Sequence, residues 1–192
     1  FLSGQSLMIS ANGTIFTYDS KGVIPGLLER WYAERKDLQK KAKGCTDPKE
    51  FEFWDKRQLV KKINLNSAYG ALLNAGSRFF DQRLGQSTTL TGRQIAKHMA
   101  ATVNEIITGE YNHVGKAIIY GDTDSAYFSA YSSLRQEIDR GEIPWDKDTV
   151  IKLYDTIATE VNGTFPQFML DAFHCPKSRG EVIRAGREIV AI

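Results

Sequence analysis

Cysteine is scarce in this chain: Cys45 and Cys175 are the only two in 192 residues. They form no CxxC pair and no zinc spacing, so nothing points to a disulfide framework or a zinc module, and reduced thiols in a cytoplasmic protein are the simplest account. No apolar run approaches the roughly 20 residues that cross a bilayer, so no membrane partner is expected. No targeting segment opens the chain, and neither internal repeats nor low-complexity stretches occur in it. The net charge is only +2, which by itself would not suggest nucleic acid. What is present is a 42% hydrophobic composition, enough for a sizeable core. Phe1 stands where an initiator methionine would, and Glu188 to Ile192 stops within an apparent strand. The chain therefore reads as a piece of something larger.

The distribution of charge says more than its sum. From Glu29 to Lys62 there are eleven Lys and Arg against seven Asp and Glu, a net of +4, which leaves about −2 for the rest. One region is suited to phosphates, although mixed charge on two exposed helices would give the same count.

Outside that basic region, Tyr120-Gly121-Asp122-Thr123-Asp124-Ser125 sets two carboxylates two residues apart. Ile118 to Tyr120 and Ala126 to Phe128 read as the strands of a hairpin with the acids at its tip. Paired acids repel each other and resist burial, and a divalent cation such as magnesium, which prefers hard oxygen ligands, is the natural companion. Alone, an Asp-x-Asp is also a common solvated turn. Upstream, Lys62, Asn66 and Tyr69 follow one another at four and three residues on a predicted helix, so a cation, an amide and an aromatic share one face. That face suits a nucleotide. A snorkelling lysine and a core tyrosine would explain the same residues one by one.

The remaining pattern is α+β. Leu7 to Ile9 and Thr14 to Phe16 predict a hairpin turning at Asn12-Gly13. Pro25 opens a helix that Gly44 closes, and Asp47-Pro48-Lys49-Glu50 predicts an N-cap, a first-turn proline and a capping-box glutamate for a returning helix. Two helices of about 20 residues would project roughly 30 Å. Being antiparallel, they would let Arg35 and Lys40 approach Lys62. Ser87 to Thr108 predicts a helix with an Ile95, Met99, Val103, Ile106, Ile107 stripe, and His98 reads as structural or exposed. A further helix is expected from Lys147 to Asn162, and a strand from Val182 to Ile192.

The run Lys62 to Gly70 resembles the KxxxNSxYG element of family B DNA polymerases, and Tyr120 to Ser125 resembles their YGDTDS element, in the family's order. Ala71 to Asn74, Arg78 to Asp81, Ser10 to Gly13 and Gly22 to Pro25 look most like the polymerases of T-even-like bacteriophages. The resemblance implies a partial palm, an antiparallel sheet with packed helices, carrying a helical fingers hairpin. Residues 1–23 would be partial palm, 24–68 the fingers, and 69–192 palm truncated at its C-terminal end. It implies a DNA-directed DNA polymerase that adds deoxynucleotides to a primer 3′-end with two magnesium ions. Asp122 and Asp124 would be catalytic metal ligands, joined by a carboxylate from a missing upstream segment. Arg35, Lys62 and Asn66 would hold the triphosphate, with Tyr69 and Gly70 at the nascent base pair. Arg187-Glu188 resembles a position near the metal site, which makes Glu188 a further candidate ligand. Where the family commonly has a lysine four residues after the arginine, this chain has Gln39, with Lys40 beside it. Primer-template DNA and deoxynucleoside triphosphates are the implied partners, with room for a sliding clamp on missing regions. The place would be the cytoplasm, the host's if viral. Two other readings are a nonenzymatic nucleic-acid-binding module and an Asp-x-Asp metal-dependent glycosyltransferase. The first would not need Asp122 and Asp124. The second calls for alternating strands and helices, which this pattern lacks.

Overall fold

The computed structural model describes residues 4–122 and 124–190, so Thr123 at the tip of the acidic hairpin lies outside the described residues. The elements run β1 (Leu7–Ile9), β2 (Ile15–Thr17), α1 (Val23–Gly44), α2 (Pro48–Leu73), α3 (Gln82–Thr108), β3 (Ile118–Asp122), β4 (Ser125–Phe128), α4 (Tyr131–Asp139), α5 (Lys147–Phe173) and α6 (Lys177–Gly180). The two small sheets each have two strands, β1 with β2 and β3 with β4. This is the α+β class that the sequence predicts. The chain divides into two compact units, one formed by the stretches up to Phe16 and from Thr88, the other by Thr17–Ser87.

In the second unit α1 and α2 form the helical hairpin. Asp47 caps α2 by accepting from the Lys49 backbone N–H, Pro48 sits where no N–H is needed, and Glu50 accepts from the Trp54 indole. The second helix is longer than predicted. It continues through Gly70 to Leu73, after which the Asp81 N–H donates to the Leu72 carbonyl and turns the chain into α3. Gly85 lets the two helices meet closely there, since a Cβ would force the Leu73 side chain to shift.

The first unit is built on α3 and α5. The stripe predicted on α3 does pack: Val103 is buried with Ile157, Val161 and Phe165 of α5, and Ile95, Met99, Ile106 and Ile107 flank them. Ile118 and Phe128 bring the acidic hairpin onto the same cluster. The helix predicted to end at Asn162 instead runs to Phe173, through Pro166. Its buried residues Ile157, Val161, Phe165, Met169 and Phe173 recur every four positions, and that stripe outweighs the lost N–H and the breaker at Gly163. The strand predicted from Val182 is absent over the described residues 182–190, and Ala191 and Ile192 lie outside them. The reason is a side-chain clamp: Asn162 donates to the Ala185 carbonyl and accepts from its N–H, so Ala185 is held against α5 with both its backbone groups satisfied without a ladder.

Two buried polar residues organise this unit. Asn104 on α3, fully buried, donates to the Glu110 carbonyl at 2.7 Å and to Thr108 Oγ1, and accepts from the Ala117 N–H at 3.0 Å. Gly115 passes so close that any Cβ would strike this amide. His98, buried as well, stacks on Phe168 at 4.0 Å between ring centroids. Its Nδ1 lies 2.7 Å from the Tyr111 hydroxyl and its Nε2 lies 2.9 Å from Thr164 Oγ1. Because the Thr164 hydroxyl proton already goes to the Val161 carbonyl, Nε2 carries the ring proton and Nδ1 accepts from tyrosine.

Asn104→Ala should lower stability by about 1–3 kcal/mol by orphaning buried partners, and Gly115→Ala by a similar amount through overpacking, about 1–3 kcal/mol. Urea denaturation of each variant measures this. Burial pushes the His98 imidazole below its ordinary value, so the unfolded chain takes up this proton first. Its contribution is therefore complete above about pH 6.5 and declines as pH falls towards the folded value. A His98→Gln variant should show a flatter stability profile over that interval.

Candidate active site

The acidic hairpin rises from the Asn104 anchor. Ile118 N–H donates to the Gly115 carbonyl and Ser129 N–H to the Ala117 carbonyl, closing its base. Strand pairing then runs Ile118 with Phe128, Tyr120 with Tyr127, Gly121 with Ala126 and Asp122 with Ser125, so Ile119 is an extra, bulged residue on β3. The bulge re-aims everything beyond it. Ile118 faces the core, whereas Tyr120 and Asp122, two residues apart on one strand, share the opposite face with Tyr127 and Ser125. Tyr120 and Tyr127 are both exposed and tilt together at 5.9 Å across the strands. Asp122 and Asp124 are exposed, and the Ser125 hydroxyl donates to the Asp122 carbonyl.

The other candidates lie on the helical hairpin. Because α2 is unbroken, Gln58, Lys62, Asn66 and Gly70 form a single row at four-residue spacing, with Tyr69 beside it. Lys62 and Asn66 are exposed, and their side chains make no hydrogen bond or ion pair with any described residue. Most neighbouring cations are occupied. Lys61 pairs with Glu34 and holds that carboxyl below its ordinary range, Lys56 pairs with Glu52, and Lys36, Lys41 and Arg57 lie over Tyr32, Trp54 and Phe53. Arg35 is half-buried, and its Nε donates to Gln58 Oε1 at 3.2 Å, which sets the guanidinium at the head of the Lys62 row. Lys40 is elsewhere: it lines an open recess of about 430 Å³ at the hairpin tip with Glu50 and Trp54. Those residues precede Lys62 by 12 and 8 positions, roughly 12–18 Å along the axis. Gly70 faces open space, with nothing within 4 Å of where a Cβ would stand.

A family model, DNA polymerase family B, matches residues 5–172. The chain belongs to that family. Among its relatives, the DNA polymerase of Pyrococcus glycovorans is 29% identical over 182 residues, covering 91% of this chain and 22% of that protein. The DNA polymerase delta catalytic subunit of Oryza sativa subsp. japonica is 37% identical over 107 residues, 55% of this chain and 10% of that one. A solved family B DNA polymerase from the hyperthermophilic archaeon Pyrobaculum calidifontis matches 70% of this chain and 17% of its own, at 26% identity and a TM-score of 0.49. The chain thus spans about a fifth or less of the relatives it matches. The family B match contains both motifs and stops short of Glu188.

Asp122 and Asp124 offer acceptor-only, exposed oxygens of the hard kind that magnesium takes, and so fit as part of a metal site. Among the described residues, no group of three or more His, Cys, Asp or Glu side chains gathers to hold an ion. Glu188, exposed beyond the Arg187–Asp155 ion pair, is accordingly not brought into such a group with the two aspartates. Sequence reasoning missed the bulge at Ile119, because a residue inserted into an apolar strand leaves no compositional mark. It also missed Gln58, although its spacing of four before Lys62 was there to be read.

Lys62→Ala should leave the melting temperature unchanged within about 1 °C, since a side chain without partners adds little to stability. Lys61→Ala breaks an exposed ion pair and should cost about 0.2–1 kcal/mol. Thermal unfolding of the two variants side by side measures the difference.

Proposed function

We propose that this chain supplies the fingers and much of the palm of a DNA-directed DNA polymerase that extends a primer 3′-end with deoxynucleotides. The observation that carries the reading is the YGDTDS hairpin, whose bulge turns an exposed acidic face away from the core, in a family B chain. Residues 24–68 act as fingers, with partial palm before them and palm after. The quoted runs around Ala71, Arg78 and Ser10 favour a polymerase of the T-even-like phage kind, working in a host cytoplasm.

In this reading Asp124 is the shared metal ligand and Asp122 its weaker neighbour, with another carboxylate supplied from outside this chain. Two bound magnesium ions would supply charge neutralisation at the triphosphate and activation of the primer hydroxyl. The residues of the chain do the rest. Arg35, Lys62 and Asn66 grip the triphosphate, positioning it rather than reacting with it. Tyr69 and Gly70 meet the nascent base pair, where shape can be tested without reading base identity.

Asp124→Ala in the full-length polymerase containing this chain should lower incorporation by about 10³-fold or more, because a metal contact is worth several kcal/mol in the transition state. Folding should be preserved, since an exposed acid is removed and no core volume is lost. Near-normal single-turnover extension would refute the assignment. Lys62→Ala should raise the KM for nucleotide by about tenfold or more while leaving primer-template affinity nearly unchanged. The opposite pattern would move Lys62 to the DNA backbone.

A further inference from the structure

The Arg35 guanidinium is held by a short relay that crosses the helical hairpin. Its Nε–H donates to Gln58 Oε1 at 3.2 Å, and Gln58 Nε2 donates in turn to Asp55 Oδ1 at 3.0 Å, one turn earlier on α2. The relay has one polarity. Arginine Nε can only donate and an aspartate carboxylate can only accept, so the Gln58 amide must turn its oxygen to Arg35 and its nitrogen to Asp55. Gln39 Nε2 also approaches Gln58 Oε1, at 3.5 Å, and so lies on the same side of α1 as Arg35, at four-residue spacing. With Nε fixed, the two terminal nitrogens of Arg35 remain available, and no hydrogen bond or ion pair with a described residue engages them. A fork held by its stem loses less rotamer freedom when it closes on an anion.

We propose that Gln58, locked in orientation by Asp55, is a positioning residue that presents the Arg35 fork to the nucleotide triphosphate. This rests on the reading of Arg35 as a triphosphate ligand and adds a group that does not itself touch the nucleotide. It also gives Gln39 a role. An amide at this position shares the Gln58 oxygen with Arg35, whereas a lysine there would bring a second cation to the same acceptor.

The test is a double-mutant cycle in the full-length polymerase containing this chain, reading KM and kcat for nucleotide and Kd for primer-template. Arg35→Ala should raise KM, and Gln58→Leu should raise it by about three- to tenfold, as expected for losing one hydrogen bond of ordinary net strength. The change in kcat should be smaller, and Kd for DNA should stay level. In the Arg35→Ala background Gln58→Leu should add nothing, because its effect passes through Arg35. Additive losses would mean that Gln58 serves the fold alone, and would overturn the inference. An unchanged KM in Gln58→Leu beside a raised KM in Arg35→Ala would also overturn it, while leaving the wider reading intact. An unchanged KM in Arg35→Ala would remove the reading and the inference together. If Gln58→Leu fails to fold, Gln58→Asn, one methylene too short to span Arg35 and Asp55, should give the same pattern.

Discussion

The buried amide of Asn104 fixes where the acidic hairpin begins. An apolar surface such as that of Val103, Ile157 and Phe165 is non-directional and would accept β3 in more than one register, and a slip of one residue would send every side chain beyond it to the other face. The hydrogen bond from the Ala117 N–H to Asn104 removes that freedom one residue before the strand starts. It is directional and it is buried, so leaving it unmade is costly. Gly115 belongs to the same constraint, because the loop reaches the amide only where no Cβ intervenes. With the start pinned, the single bulge at Ile119 determines which way Asp122 points.

Much of the fold was legible, where local chemistry and tertiary packing agree. Asn12-Gly13 turns the first hairpin with Gly13 at positive φ, and Asp47-Pro48 starts α2 as its residues predict. The stripe from Ile95 to Ile107 meets the core for the reason its period gives. The misreadings occur where distant contacts override local signals. The helix expected to end at Asn162 continues past Gly163 and Pro166, because the four-residue stripe of α5 keeps finding the core. Val182 to Val190 is strand-like in composition, but Asn162 and the Arg187–Asp155 pair claim the segment for α5. No local pattern announces such clamps. For the candidate site, the acids and the Lys62 row were legible from spacing, whereas the bulge and the Gln58 relay depend on partners more than twenty residues away or on a strand register.

The helical hairpin shows why net charge was a poor guide. Its excess of cations is largely answered within the hairpin itself, by carboxylates such as Glu34 and Glu52 and by aromatic faces such as Trp54 and Phe53. Exposed pairs of this kind add little stability, but they do orient long side chains and keep like charges apart. What matters for a ligand is the subset of donors that remain open. Lys62 and Asn66 belong to that subset along one row of α2, with the terminal nitrogens of Arg35 at its head, and they are distinguished by what their neighbours are bonded to rather than by residue type.

Each unit therefore presents an exposed group of one character, carboxylates on the hairpin of one and open donors on the helix row of the other. The core of the first is closed by α3, α5 and the feet of the hairpin, and the helices of the second are joined through Glu34–Lys61 and Arg35–Gln58. Exposed charges cost little in water and add little to stability, so stability alone gives no reason for their spacing. Each is suited to a ligand of the opposite character, the carboxylates to a hard cation such as magnesium and the open donors to an anion such as a phosphate.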